Sequence, residues 1–449
     1  MLNRIKSVLL KIVSGVLKIF YKSTYFFSFI PQYLKSSEGL RYVSRGYCAT
    51  SVNTSIFRKS SVISGGGFQY ICFYDRRGNV IVGKRKLSKN RWKLRVTPFN
   101  GNVMDAHNGI SLGIDGEGFL HLAYGMHGSK LKYAKSLKPH SIKFSSLMPM
   151  TGEEEERVTY PEFHTMANGN LLFFYRNGRS GNGNMAIKMY CLEKRKWTTM
   201  QSNLIDGEGE RNAYWQAWVD CDDNIFLSWV WRDNADVASN HDICFACSKD
   251  GGTTWRRADG EKYDLPITVK NAETAWVVQC GSDLINQTSM STDEKGRPYI
   301  ATYWHDKGSD VPQYRMVWND GEKWNMKIAG KRIMHFSLRG KGTKMIPMSR
   351  PLVLNQSGKI LLIFRDKEYK GTVTMAISKD LEENNWELVE LTDFDVDAWE
   401  PTFDENLWKK NGRLNLFLQA THQGDGEKVA AIKCKSSPIF ILQSEQPKP

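Results

Sequence analysis

Seven residues of this 449-residue chain have side chains suited to moving protons or holding an anion: His107, Asn108, His127, Tyr160, Arg176, Tyr214 and Arg232. Imidazole and phenol groups are common general acids and bases. The planar guanidinium fork of arginine matches a carboxylate with two parallel hydrogen bonds. A patch of ordinary protein surface would hold more Lys and Glu. Each residue also has a plainer reading. His107 could pack a turn, Tyr160 could cap a strand before Pro161, and Arg176 could pair with Glu162. What separates the readings is whether the chain brings these groups to one place.

The elements that would position them recur. A Gly/Asn/Asp turn followed by an apolar strand occurs seven times: GGFQYICFYD from Gly66, GEGFLHLAYGMH from Gly116, NGNLLFFYRNG from Asn168, DDNIFLSWVWR from Asp222, KGRPYIATYWH from Lys295, SGKILLIFRDK from Ser357 and NGRLNLFLQAT from Asn411. The copies lie roughly fifty to seventy residues apart, a period that predicts an all-β, seven-bladed β-propeller. In such a unit an inner strand runs away from one rim, the turn reverses it, and the next strand climbs back. Residues just before the first strand and just after the second therefore share a rim. This places His107 with His127, Tyr160 with Arg176, and Asn212 and Tyr214 with Arg232. It also places Asn286 with His305, Arg350 with Arg365, and Glu400 with His422.

A second alternating segment follows many of the turn-strand copies and ends on Trp92, Trp197, Trp255, Trp324 or Trp386. Period-two alternation bounded by turn residues signals strands. Ser248, Asp250, Gly252, Thr254 and Trp255 form an Asp-box, a hairpin marker that reports fold and no active site.

The net charge of +14 favours an anionic partner. The absence of a basic block interleaved with aromatics, and of a helix to enter a groove, argues against nucleic acid; an acidic polysaccharide uses the same electrostatics, and a merely solvated basic surface is the plainer reading of the charge. Eight cysteines sit mostly inside strand-like runs, which suits buried thiols better than a disulfide framework. His241, Cys244 and Cys247 have metal-ligand types, but on a strand the two cysteines face opposite ways. A structural metal there is disfavoured, and no catalytic metal or cofactor is expected.

Residues 1–42 read as a basic, apolar N-terminal extension, with the propeller over 43–443 and a tail at 444–449. Ile5, Val8, Leu9, Ile12, Val13, Val16, Leu17 and Phe20 share one helical face, with Arg4, Lys11, Lys18 and Lys22 opposite. An amphipathic helix at residues 1–22 lying on an anionic membrane is one reading, and a weak export signal is the other. The two place the protein differently, at the cytoplasmic membrane or in the envelope and beyond.

Longer stretches carry a resemblance. Asp105 to Asn108 with the following SLGIDGEGFLHLAYGMHGSKLKYAKS, Val158 to Phe163, Phe174 to Gly181, Asn212 to Tyr214, Trp229 to Arg232, the Asp-box, and Trp399 to Pro401 occur in order. Over roughly residues 43–425 the chain resembles the BNR-repeat family of seven-bladed propellers that includes the ulvan-type polysaccharide lyases.

That resemblance implies β-elimination on a uronic-acid polysaccharide. Removing the proton at C5 and expelling the oxygen at C4 requires the C6 carboxylate to be neutralised, a base at H5 and an acid at O4. By resemblance, Arg176 neutralises the carboxylate, Tyr160 and His107 share the proton transfers in an order left open, and His127 is the second histidine of the site. Tyr214, Asn108 and Arg232 would contact substrate. Two other readings stand beside it. A sialidase-like hydrolase would draw its arginines from Arg176, Arg232, Arg350 and Arg365. A non-catalytic glycan-binding propeller would not need His107 and Tyr160 together.

Overall fold

The computed structural model describes residues 39–383, 385–426 and 435–444. Its strands form seven antiparallel sheets, each built on one copy of the turn-strand motif. The motif strand is the second of its blade every time: Phe68–Tyr74, Leu120–Tyr124, Leu171–Arg179, Ile225–Arg232, Pro298–Trp304, Lys359–Arg365 and Leu414–Gln419. Inner strands of successive blades touch, as Val62–Gly65 does Ile110–Ile114, and Ser289–Thr292 does Leu352–Gln356. The expected seven-bladed propeller is the observed architecture.

The ring closes by mixing chain ends. Leu40–Tyr47 pairs with Ser436–Ser444 from Leu40↔Leu442 to Tyr47↔Ser436, completing the last blade with the start of the fold. Pairing this strand removes a free sheet edge. The buried Asp404 carboxylate accepts hydrogen bonds from Ser64 Oγ and from Gln69 Nε2 (2.7 Å), tying the last blade to the first. In that last blade a short helix, Glu405–Asn411, stands where the repeat pattern shows only a turn; Asp404 caps it and Gly412 ends it with a φ of 64°.

The Asp-box is structural. Asp250 accepts from Ser248 Oγ (2.8 Å) and Thr254 N (2.8 Å), and Trp255 is fully buried with its indole N–H on Gly252 O at 3.1 Å. The amphipathic segment read at residues 1–22, the rest of the extension before residue 39, and tail residues 445–449 lie outside the described residues. Among the described residues no helix is long and apolar enough to cross a membrane.

Candidate active site

The site lies at the rim where the strand-order argument puts it, because each functional side chain sits at the same end of its blade. Asp105 is the organising group. Its Oδ1 lies 2.7 Å from His107 Nδ1, and its Oδ2 lies 2.7 Å from His127 Nδ1. Burial opposes ionisation of Asp105, but the hydrogen bonds and positive character of the two imidazoles outweigh it. Its carboxyl is held well below the usual carboxylate range. An ionised carboxylate only accepts, so both Nδ1 atoms carry the proton, and a ring in its neutral form then has its lone pair on Nε2. The rings stack at 4.2 Å with 19° between planes, and Phe57 stacks on the far face of His107 at 5.4 Å.

His127 reaches this position through a strand exchange between blades. Residues His127–Ser129 leave the second blade and join the third, where His127 pairs with Thr159. Gly128 N donates to Thr159 Oγ1 at 2.7 Å. The pairing sets His127 beside the neighbour of Tyr160.

Tyr160 owes its orientation to a bulge. Register shifts between Thr159 and Glu162, so Tyr160 and Pro161 have no partner on the next strand. Pro161 has no N–H to contribute there, which suits a bulge. Tyr160 adopts φ 57°, the left-handed region that a side chain other than Gly rarely enters. Its ring sits edge-on to Phe57 (5.5 Å), Tyr214 (6.2 Å) and Trp215 (6.3 Å). Burial pushes the phenol well above an ordinary tyrosine; Tyr214 adds to this, and Arg176, Arg232 and Arg350 only partly oppose it. Tyr214 goes the other way. Burial opposes its ionisation, but Arg232, Arg176 and hydrogen bonds to Ser180 and Asn212 bring its phenol below the ordinary value.

Arg176 faces Thr159 across the same pair of strands. It donates one hydrogen bond, Nη2 to Thr159 Oγ1 at 3.2 Å, while Nε and Nη1 are buried with no protein acceptor. Its side chain is not paired with Glu162, which instead contacts His164 (2.9 Å) and the Trp215 indole (3.3 Å). Gly183 leaves room for the stem, since a Cβ there would sit 3.1 Å from Arg176 Cγ and Cδ. A guanidinium with two unused buried donors is costly unless a ligand supplies the acceptor.

These groups line one cavity of about 260 Å³ with Tyr214, Arg232 and Arg350. His107, His127, Tyr160, Arg176, Tyr214 and Arg232 therefore come together as the strand logic expects. Asn108 is not a lining residue: it is buried, its amide lies 3.4 Å from Asp105 O, and its carbonyl accepts from Tyr74 OH at 2.8 Å. Asn108 supports the turn that holds Asp105. Of the other rim residues, Asn286 and Arg350 line the cavity; His305 pairs with Asp283, Arg365 with backbone carbonyls, and His422 with Asp397. Arg350 is matched by the buried Glu400 at 2.8 Å.

Asp105 was identifiable in sequence only as part of a motif, two residues before His107. Its reach to His127 is a tertiary fact. Among the described residues Asp105, His107 and His127 are the single grouping whose ligand atoms lie close enough to hold a metal, all within 4.8 Å. His241 instead contacts Asp242 (3.0 Å) and Asp233 (3.3 Å), while burial pushes the Cys247 thiol up to about 11 and the Cys244 thiol higher.

Residues 68–331 match the family described as BNR repeat-containing family member. The chain is 26% identical over 325 residues to an ulvan lyase of Alteromonas sp. (strain LOR), covering 60% of this chain and 64% of the relative. It is 26% identical over 280 residues to Ulvan Lyase-PL25 of Pseudoalteromonas sp. (strain PLSV), covering 52% and 54%. It thus spans between half and two-thirds of these curated relatives. In shape it resembles a solved PL25 ulvan lyase with TM-score 0.61 at 16% identity, over 92% of this chain and 98% of the other. It also resembles the polysaccharide lyase Uly1, with TM-score 0.62 at 16% identity over 86% and 90%.

Proposed function

The chain belongs to the BNR repeat-containing family, and from that premise we propose that it is a polysaccharide lyase acting on a uronic-acid polymer by β-elimination. The observation that carries the reading is the pairing, in one cavity, of a buried guanidinium that keeps two donors without a protein acceptor with two imidazoles anchored on one carboxylate and a phenol kept protonated. Curated relatives named ulvan lyases support it.

In this reading Arg176 binds the C6 carboxylate through its unused donors and lowers the cost of charge building up on that carboxylate. His107, held with Nδ1–H on Asp105, offers the Nε2 lone pair to the C5 proton. As that proton leaves, the C4=C5 double bond forms and the C4–O4 bond breaks. Tyr160, the more protonated phenol, donates to O4. This assigns the base to His107 and the acid to Tyr160, an order the residues alone leave open. His127 stacks on His107 and shares Asp105, so that carboxylate stabilises the imidazolium as it forms. Asp105 is a positioning residue: it acts through the histidines. No metal or cofactor takes part in this scheme.

The cavity favours elimination over sialidase-type hydrolysis. Among the described residues its lining has no carboxylate to assist a tyrosine nucleophile, and one of its three arginines is occupied by Glu400. The assay is incubation with a panel of acidic glycans, following ultraviolet absorbance of the unsaturated uronate alongside reducing ends. Reducing ends without the absorbance would indicate hydrolysis; tight binding with neither signal would leave a glycan-binding propeller. We also propose peripheral membrane contact through residues 1–22, tested by comparing sedimentation of the full chain and of 23–449 with anionic vesicles. Equal partitioning would refute it.

A further inference from the structure

We propose that the propeller itself carries a membrane-facing surface: the outer edge of the first blade, at the end away from the active-site cavity, where Lys86, Lys89, Arg91, Lys93 and Arg95 meet the headgroups of an anionic bilayer. The proposal extends the membrane reading of residues 1–22, and rests on it for the choice of a bilayer over another polyanion.

The charge is local and of one sign. No Asp or Glu occurs between Asp75 and Asp105, a stretch that holds nine Lys and Arg. Lys86, Lys89, Arg91, Lys93 and Arg95 are all exposed. They sit on the turn after Asn79–Lys86 and on Lys93–Asn100, the outermost strand of the blade. Burial lowers the Lys84 ammonium from its ordinary value, and Lys93 and Lys86 lower it further, so these cations crowd one another. Beneath them the buried Arg85 is lowered by burial; Asp404 opposes this and Arg41 adds to it.

Edge protection does not account for the sign. A charged outer strand blocks edge-to-edge pairing, and in the sixth blade that strand reads ELVE, with Glu387 and Glu390 exposed. The turns at the same end of the fifth and sixth blades likewise carry Asp320 and Glu322, and Asp380, Glu382 and Glu383. The ring is therefore basic on one side at this end and acidic on another.

Aliphatic groups stand among the bases. Leu94 is 39% exposed and Val96 61%. They pair with Gly83 and Ile81, on the face of the sheet that packs against Phe417, Ile439 and Ile441 of the last blade. The nearby indole of Trp92 is half-buried with the Arg85 guanidinium 5.2 Å from its ring. Cations mixed with aliphatic side chains suit the boundary between headgroups and acyl chains.

The chain path joins this surface to the N-terminal extension. Leu40 pairs with Leu442 and Leu414 with Ser444, so the first described strand begins at the end marked by the Gly412 turn. Lys86 pairs with Phe68, just after the Gly66–Gly67 turn, and so lies at that same end of the adjoining blade. Residue 39 thus enters the propeller beside the basic edge. A single weak membrane signal gives only marginal binding, and a polybasic surface is an effective second one.

The test is sedimentation of the full chain with vesicles of phosphatidylglycerol and phosphatidylcholine, compared with phosphatidylcholine alone and with a soluble acidic glycan. A Lys or Arg near an anionic surface typically contributes about fivefold, so Lys89→Gln/Arg91→Gln/Lys93→Gln should lower the partition coefficient about hundredfold. The same three charges removed from the fifth blade, Lys295→Gln/Lys307→Gln/Lys323→Gln, should change it far less. Amide exchange should slow across Lys86–Val96 on anionic vesicles while His127–Ser129, at the cavity, exchanges as in the free protein. Wild-type partitioning by a first-blade variant that melts like wild type overturns the proposal, as do equal losses in the two triple variants. Loss of glycan binding with vesicle binding kept assigns the surface to a polysaccharide and overturns it too. If removal of residues 1–22 abolishes binding but the full-length first-blade variant sediments as wild type, the helix reading stands and this one falls; the reverse pattern sinks the helix reading alone. No partitioning of wild type onto anionic vesicles overturns both.

Discussion

Replacing Asp105 by Asn tests whether the two histidines work as one carboxylate-anchored pair. In the native site each carboxylate oxygen accepts a 2.7 Å hydrogen bond from an Nδ1–H. Asparagine has one acceptor oxygen and one NH2 donor, so it can satisfy one imidazole in its present tautomer and not the other. The ring facing the amide must turn its Nδ1 lone pair to it and carry the proton on Nε2. If that ring is His107, the base at C5 is lost. If it is His127, His107 still loses the negative charge that stabilises its protonated form. General acid–base groups typically supply about 10²–10⁴-fold, so kcat should fall within that range. KM should change less, since Arg176 is untouched. Because the carboxylate favours charged imidazole, the acid limb of the pH–rate profile should move to lower pH in the variant. The assay is initial rate of unsaturated uronate formation across pH, with thermal melting to confirm the fold and Asp105→Glu to test for partial rescue. Wild-type kcat together with an unmoved acid limb would refute the reasoning.

Tyr160→Phe should reduce elimination by about 10²–10⁴-fold while leaving glycan affinity measurable by calorimetry, because it removes only the transferable proton. Chelation should leave the rate of the full chain unchanged, and loss of activity restored by a divalent ion would assign Asp105, His107 and His127 to a metal instead. For stability, burial disfavours charged His164, yet Glu162 and Glu405 outweigh it and raise the imidazole to about 9. A raised pKa contributes stability that is complete below the unfolded value near 6.5 and lost as pH rises through about 9, on the order of 3 kcal/mol. The melting temperature should therefore fall between pH 7 and pH 9.5, and His164→Gln should flatten that slope; a parallel decline in both proteins would refute the assignment.

The repeat was legible because blade architecture is written in local pattern. Each Gly/Asn/Asp turn and its apolar strand encode a hairpin within a few residues, and seven such hairpins leave little choice but a closed ring. The rim assignment followed from strand direction alone, which is why His107, His127, Tyr160 and Arg176 could be named together before any coordinate. Tertiary structure decided which rim groups face a ligand. Asn108 and Arg176 are both polar residues at strand ends, yet one supports a turn and the other keeps two buried donors unused. The bulge at Tyr160, the reach of Asp105 to His127 and the fold of residues 329–351 across the cavity all depend on pairings between distant segments. Periodicity describes neighbours a few residues apart; it carries no information about which carboxylate will meet which imidazole once the blades close.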